Sequence, residues 1–211
     1  MENVVVTIDR QYGSGGRTIG KMLAEEMGIK YYDREILKLA SEDSGINETL
    51  FNQVDEKLKS TPLFRIMRKN YKGELIKPES GDFLSDQNLF NYQAKVIKQL
   101  AEEESCVIIG RCADYVLQDY PNVVSVFVQA DPDFCRKMAI ERGAHGIKNV
   151  DKFIAQTDKY RADYYEYYTG HAWNDARNYD PCLDSGELGF DKCVEMIKSY
   201  IEIRFGKDWN K

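Results

Sequence analysis

Apolar positions along the chain follow two patterns, which are short continuous runs and longer segments with helical spacing. Five short runs predict strands, at residues 4–8, 29–32, 106–109, 123–128 and 182–184. Between these runs apolar residues recur every three or four positions, as at Ile19, Leu23 and Met27, which predicts amphipathic helices. Strands that alternate with helices are typical of a mostly parallel sheet with helices on both faces.

Two stretches depart from this alternation. Residues 46–104 contain no strand-like run: Asn47 and Ser85 are placed to cap helices, Pro62 can open another, and the sequence predicts a helical insertion. Residues 141–168 begin with a polar, glycine-containing segment and continue as a tyrosine-rich helix from about residue 150. The tyrosines have helical spacing, which favours packing over base stacking.

Composition narrows the class of protein. A chain of 211 residues fits one domain, here residues 1–211 with both departures inside it. The net charge of −6 and the absence of a long basic run argue against a nucleic-acid partner. No apolar run approaches eighteen residues and no signal peptide is visible, so we expect no membrane contact and a cytoplasmic location.

Metal and disulfide chemistry find little support in the sequence. The five cysteines are odd in number and form no C-x-x-C pair, and the chain has two histidines. We therefore expect neither a disulfide framework nor a zinc site, and we interpret the cysteines as buried or incidental thiols.

The segment with the strongest chemical signal joins the first strand to the first helix. It contains Gly13, Ser14, Gly15, Gly16, Arg17 and Thr18. Glycines allow successive backbone N–H groups to turn toward one point, and the start of a helix adds further unpaired N–H groups and a positive dipole end. The segment therefore predicts a phosphate-binding loop, with a simple tight turn or a dinucleotide-binding loop as weaker alternatives.

The loop does not match the P-loop pattern G-x-x-x-x-G-K-[ST]. In the favoured register Gly16 stands at the lysine position and Arg17 follows it, before Thr18. Arg17 is then the candidate cation for the transferred phosphate and Thr18 the candidate hydroxyl for Mg²⁺. An alternative register ends at Lys21 but places Met22 at the hydroxyl position and puts Lys21 more than a turn into the helix.

Several further motifs make the chain resemble the cytidylate kinase-like family over nearly its whole length. They are Tyr31-Tyr32-Asp33, Ile109-Gly110-Arg111, Val126-Phe127-Val128, Ala130-Asp131-Pro132, the segment Asp158 to Tyr165, Asn178-Tyr179-Asp180 and Leu183-Asp184-Ser185. The resemblance implies a P-loop NTPase-type three-layer α/β sandwich with a helical monophosphate-binding insertion and a small lid. It also implies an ATP-dependent kinase that uses Mg²⁺ and phosphorylates a nucleoside monophosphate such as CMP.

The same resemblance implies roles for individual residues. Asp33 would open the monophosphate site, and Arg111 would bind the substrate phosphate. Arg136, Arg142 and Arg161, with Lys159 as a weaker candidate, would surround the phosphate at the lid. Arg17, Arg111 and Arg161 are the candidate catalytic residues, because a planar guanidinium meets phosphate oxygens in pairs.

Three departures from the family pattern leave the acceptor open. The loop lysine is replaced, the aspartate that should follow Arg111 is Cys112, and the insertion contains no strand-like run. Asp114, two residues further on, is expected to point elsewhere if its segment is helical. A nucleotide-binding sensor without catalysis, or a kinase of another small molecule, therefore stays open, as does a homo-oligomeric state.

Overall fold

A computed structural model describes residues 3–57 and 73–207 of the chain. Its centre is a sheet of five strands in the order β2-β3-β1-β4-β5, and every adjacent pair is parallel. The strands are β1 (Val5–Arg10), β2 (Lys30–Tyr32), β3 (Cys106–Ile109), β4 (Val123–Gln129) and β5 (Cys182–Asp184). All five predicted strands are confirmed, and their carboxyl ends share one edge of the sheet.

Helices connect consecutive strands and cover both faces of the sheet. They are α1 (Gly16–Met27), α2 (Glu35–Ser44), α3 (Glu48–Lys57), α4 (Asp86–Glu103), α5 (Ala113–Val116), α6 (Pro132–Glu141), α7 (Val150–Thr169), α8 (Ser185–Leu188) and α9 (Phe190–Phe205). Short 3₁₀ turns at Ala144–Gly146 and Ala176–Asn178 flank α7. The three layers confirm the predicted α/β P-loop-type fold.

Two hydrophobic clusters lie on opposite faces of the sheet because neighbouring residues of a strand point to opposite sides. On one face Val6 and Ile8 pack with α1 and α9. On the other face Val5, Ile108 and Phe127 pack with α2, α4 and α7. Within the described helices none is both long and apolar enough to cross a membrane.

Several helices begin at the capping residues that the sequence predicts. The side chains of Ser85, Asn149 and Asp131 each accept a hydrogen bond from a backbone N–H of the following first turn, and Asn47 does the same for Thr49. These bonds satisfy N–H groups that a helix start leaves unpaired. The helix expected at Pro62 lies outside the described residues.

The tyrosines of α7 pack, as their spacing predicts. Tyr164, Tyr165 and Tyr168 are buried, and the ring of Tyr168 stacks on Phe90 of α4 at a centroid distance of 3.9 Å. This contact fixes the second half of α7 against the long helix that precedes β3. Four of the five cysteines are buried as well.

Candidate active site

The phosphate loop leaves β1 at the carboxyl edge of the sheet, where open α/β sheets bind ligands. Gly13 and Gly15 have φ angles of 86° and 85°, which favour glycine. A Cβ at Gly13 would collide with the backbone of Cys135, and one at Gly15 would collide with the ring of Phe190. The loop is therefore too closely surrounded to accept side chains at these positions.

The first turn of α1 is open to an anion. The helix begins at Gly16, its N-cap Gly15 offers no side chain, and no acidic residue stands in the first turn. N–H groups in a first turn have no acceptor within their own helix, and the dipole adds positive potential there. This end of α1 has the chemistry of a phosphate cradle.

The loop is held in shape by hydrogen bonds from surrounding elements. Ser14 Oγ donates to Gln11 O at 2.9 Å, and Ser185 Oγ, from the first residue of α8, donates to Ser14 O. The backbone N–H of Tyr12 donates to Asp158 Oδ1 of α7 at 2.7 Å. Contacts from α7 and α8 thus support the shape of the loop.

Arg17 and Asp33 form an ion pair at the mouth of the loop. Asp33 is 13% exposed whereas Arg17 is 47% exposed, so the pair lies at the boundary with solvent. Asp33 directly precedes α2 and could have capped it, but Arg34 is the N-cap residue and no side chain makes a capping hydrogen bond there. The Asp33 carboxylate faces the phosphate loop instead.

Arg111 lies beside Asp33 and has an unusual backbone conformation. Its Nε donates to the backbone oxygen of Asp33 at 3.1 Å, and its Nη1 donates to Gln93 Oε1 of α4 at 3.2 Å. Arg111 and Cys112 have φ angles of 62° and 54°, a region that residues other than glycine rarely adopt. Such a backbone is costly and is found preferentially at functional sites.

Two further arginines approach the loop from the side of α6 and α7. Arg142 donates to Thr18 Oγ1. Arg161 donates to the backbone oxygen of Arg10 at 2.8 Å and to Asp158 at 3.1 Å. Burial lowers the pKa of Arg161 although the Asp158 carboxylate opposes this shift. The structure therefore brings both residues to the loop, as the resemblance implies.

Arg136 and Lys159 are placed differently. Arg136 pairs with Asp133 at 3.1 Å and with Asp151 at 2.6 Å on the exposed surface of α6. Lys159 pairs with Asp163 one turn further along α7. These ion pairs direct both side chains toward surface carboxylates, so the candidate role of Arg136 at the substrate stays a prediction without a contact to support it.

A cleft of about 430 Å³ opens beside the loop. Its lining residues are Arg17, Thr18, Lys21, Tyr31, Asp33, Arg34 and Glu35. The volume is within the range of small-ligand pockets, roughly 300–1,000 Å³. Polar and charged groups from α1, β2 and α2 share this wall, so a phosphorylated ligand here would meet both cations and hydrogen-bond acceptors.

Sequence reasoning missed two residues at the end of β1. Asp9 is buried, and burial raises the pKa of its carboxyl, while the neighbouring Arg10 opposes the shift. Arg10 is mostly buried as well, and burial lowers the pKa of its guanidinium to about 10, so it remains charged at neutral pH. The signal in the sequence that could have identified Asp9 and Arg10 is the presence of two charged residues at the end of an otherwise apolar strand.

Asp114 turns away from the cleft, as expected for its helical segment. It lies in α5 and accepts a hydrogen bond from Tyr165 Oη at 2.5 Å inside the protein. Cys112 is also buried, so neither residue presents a polar group to the cleft. The carboxylate missing after Arg111 has no replacement at these two positions.

The residues present fit a nucleotide better than they fit a metal ion alone. The glycine cradle and the arginines match phosphate oxygens. Across residues 3–57 and 73–207 no three His, Cys, Asp or Glu side chains form a group that could hold a metal. A Mg²⁺ ion would therefore take most of its ligands from phosphates and water, as Mg²⁺ commonly does in such sites.

Comparisons of three-dimensional structure agree with this geometry. An uncharacterized protein from Eubacterium ventriosum ATCC 27560 has a TM-score of 0.67 and 29% identity, with 95% of this chain and 99% of that one covered. Shikimate kinase from Bacteroides thetaiotaomicron has a TM-score of 0.55 and 12% identity, with coverages of 94% and 98%. A sugar kinase from Janibacter sp. HTCC2649 has a TM-score of 0.50 and 14% identity, with 95% of each chain covered. The two kinases support the fold alone.

Sequence comparison gives the more specific result. No curated protein matches the chain. The model of the cytidylate kinase-like family matches residues 5–187, which include β1, the phosphate loop, Arg142, Arg161 and the first three residues of α8. A match over this span, together with the loop and the arginines around it, means that the chain belongs to the cytidylate kinase-like family.

Proposed function

We propose that the protein is an ATP-dependent phosphotransferase whose acceptor is a small phosphorylated molecule, in the first instance a nucleoside monophosphate such as CMP. The observation that carries the proposal is the position of four arginines beside one cleft: Arg17, Arg142 and Arg161 lie at the glycine loop or its ends, and Arg111 binds the backbone of Asp33, the partner of Arg17. Phosphoryl transfer depends mainly on positioning and on neutralising charge on the phosphate oxygens. These groups supply both.

The donor and acceptor would bind on opposite sides of Arg17. The loop of residues 13–18 and the Arg17 guanidinium would hold the donor phosphates, and Thr18 is the candidate ligand for Mg²⁺. A Mg²⁺ ion held there would neutralise part of the charge on the phosphate oxygens. Asp33 in the wall of the cleft and Arg111, which binds the Asp33 backbone, would hold the acceptor once the Arg17–Asp33 ion pair opens.

Arg142 and Arg161 would complete the site from the lid side. The predicted lid spans residues 141–168, and closure over the cleft would exclude water that otherwise hydrolyses the donor. Arg142 already reaches Thr18, so a small displacement suffices to bring its guanidinium to a phosphate at the cradle.

One observation favours a different acceptor. Cys112 and Asp114 are both buried, so the carboxylate that would follow Arg111 in a cytidylate kinase has no counterpart at these positions in the cleft. A kinase of another small phosphorylated molecule fits this observation, and so does a nucleotide-binding sensor without transfer activity.

The test is ADP formation by the purified protein with Mg-ATP and a panel of nucleoside monophosphates. We expect one monophosphate to stimulate ADP formation, and Arg17→Ala and Arg111→Ala each to lower kcat/KM about a hundredfold. Arg177→Gln is the matched control, because Arg177 is 89% exposed and pairs with Asp175. Unchanged transfer in both alanine variants would contradict the proposal, whereas ATP binding without any stimulation would favour the sensor.

A further inference from the structure

The residue at the first glycine position of the P-loop pattern is an arginine. In the favoured register Gly15 is the second glycine and Gly16 stands at the lysine position, which puts Arg10 at the first glycine. Compared with G-x-x-x-x-G-K, the chain therefore has Arg10 at the position of the first glycine and Gly16 at the position of the lysine. The two changes are six residues apart in sequence.

In the structure these two positions touch. A Cβ built on Gly16 would lie 2.5 Å from Cβ and 2.9 Å from Cγ of Arg10, and one built on Gly110 would collide with Arg10 Nη1. The Arg10 side chain therefore runs directly past the position from which a lysine would start, and it ends beside the turn that carries Arg111. A side chain at residue 16 and the arginine at residue 10 exclude each other.

The Arg10 guanidinium is only partly satisfied. Its side chain is 15% exposed, and its Nε is buried without a hydrogen-bond partner in the described part of the chain. The nearest carboxylate, that of Asp9, is 3.8 Å from Nη1. A buried donor without an acceptor is costly, so such a group calls for a ligand or another compensating role.

The charges around Arg10 come in pairs. Burial lowers the pKa of Arg10 most, Arg161 and Arg17 also lower it, and Asp9 and Asp33 raise it. Arg17 is paired with Asp33, and Arg161 with Asp158. The case for an anion at Arg10 therefore rests on its unpaired, buried Nε and on the space beside Gly16.

We propose that Arg10 replaces the P-loop lysine and binds the terminal phosphates of the donor from beneath the loop. This inference rests on the proposed function for the identity of the donor, while the anion site itself rests on the geometry. Arg10 would bind phosphate beside Arg17. Because Gly16 has no side chain, it leaves the space that the Arg10 side chain needs.

Binding measurements by calorimetry test this assignment with Mg-ATP and with inorganic tripolyphosphate as probes. For Arg10→Gln we expect at least about a tenfold loss of affinity for both probes, since charge-assisted bonds to phosphate are strong. Arg177→Gln should bind both as the wild type does. Thermal unfolding without ligand shows whether the Gln variant is folded.

Arg10→Lys keeps the proposal testable if Arg10→Gln does not fold. A lysine at residue 10 retains the charge but lacks the fork of donors, so we expect at least a fivefold loss of Mg-ATP affinity. Wild-type affinity for both probes in either folded Arg10 variant overturns the proposal. Tripolyphosphate binding that depends on Arg10, without ATP binding, would instead retain the anion site and contradict the ATP-dependent function.

Discussion

Two carboxyl groups lie buried behind the phosphate loop, at Asp9 in β1 and Asp114 in α5. Burial, and after it the negative charge of Asp9, raise the pKa of Asp114 to about 8, while the hydrogen bond from Tyr165 opposes the shift. Asp114 is therefore largely protonated at neutral pH. It stabilises the packing of α5 against α7 as a neutral group rather than as an ion.

The raised pKa of Asp114 makes folding stability depend on pH. In the unfolded chain an aspartate titrates near 4, so between about pH 4 and pH 8 the folded protein holds a proton that the unfolded chain releases. Stability therefore falls as the pH rises through this window. Asp114→Asn keeps an acceptor for Tyr165 and does not titrate, so at pH 8.5 we expect its Tm to exceed that of the wild type by about 2–6 °C.

Thermal unfolding followed by circular dichroism from pH 5 to pH 9 checks this prediction. Asp119→Asn, on the exposed surface, is the matched control and should follow the wild type. A wild-type Tm that stays constant across the window, or a lower Tm of Asp114→Asn at pH 8.5, would contradict the assignment of a buried neutral carboxyl.

At the scale of elements, the sequence was sufficient to predict the strands, most helix ends and the position of the glycine-rich loop after β1. These features depend on local signals: β-branched runs, caps such as Ser85, and glycines where the backbone needs positive φ. The order of strands and the ion pair between Arg17 and Asp33 depend on contacts between distant segments. Periodicity carries no information about such contacts.

The candidate residues divide in the same way. Arg17 and Thr18 could be found because they follow loop glycines directly, and Arg111 because it follows Gly110 at a strand end. Arg10 could not be selected, because the argument for it depends on its contact with Gly16, which appears only in three dimensions. Arg136 lies within α6 and Arg142 at its C-terminal end, and surface carboxylates bind Arg136.

The contact between α8 and the phosphate loop gives a prediction at this scale. Ser185 is fully buried, and its hydroxyl reaches the backbone oxygens of Ser14 and of Gln129, the latter at 3.1 Å. Ser185→Ala leaves these buried acceptors without their donor, so we expect a loss of about 1–3 kcal/mol in the free energy of unfolding. The loop should also bind Mg-ATP more weakly, because it is less well held.

Urea denaturation measures the first effect and calorimetry with Mg-ATP the second. Ser80→Ala, in an exposed turn, should change stability by less than about 0.5 kcal/mol. If Ser185→Ala is as stable as the wild type, the hydroxyl does not hold the loop.

At the scale of the whole molecule, charge is distributed unevenly. The chain carries a net charge of −6, yet arginines from β1, α1, the β3–α5 turn and α7 meet at one edge of the sheet. A local positive region on an acidic protein attracts small anions to one place without favouring long polyanions. The distribution therefore agrees with the proposed nucleotide as ligand.

Packing divides the predicted lid, residues 141–168, into two parts. Tyr164, Tyr165 and Tyr168 belong to the core, and stacking of Tyr168 on Phe90 holds the end of α7 in place. The preceding half of α7 is largely half-buried or exposed, and it meets the loop through Asp158 and through the ring contact of Phe153 with Tyr12. We therefore expect movement to be confined to residues 142–157.

Hydrogen exchange measured by mass spectrometry distinguishes the two parts. Without ligand, amides of residues 164–169 should exchange slowly because they open only with the core, whereas those of residues 142–157 should exchange faster. Mg-ATP together with the active acceptor should slow exchange in residues 142–157 about tenfold and leave residues 164–169 unchanged. Equal slowing of amide exchange along all of α7 would mean that the helix moves as one body. The division of the lid into a mobile part and a part fixed by the buried tyrosines would then be wrong.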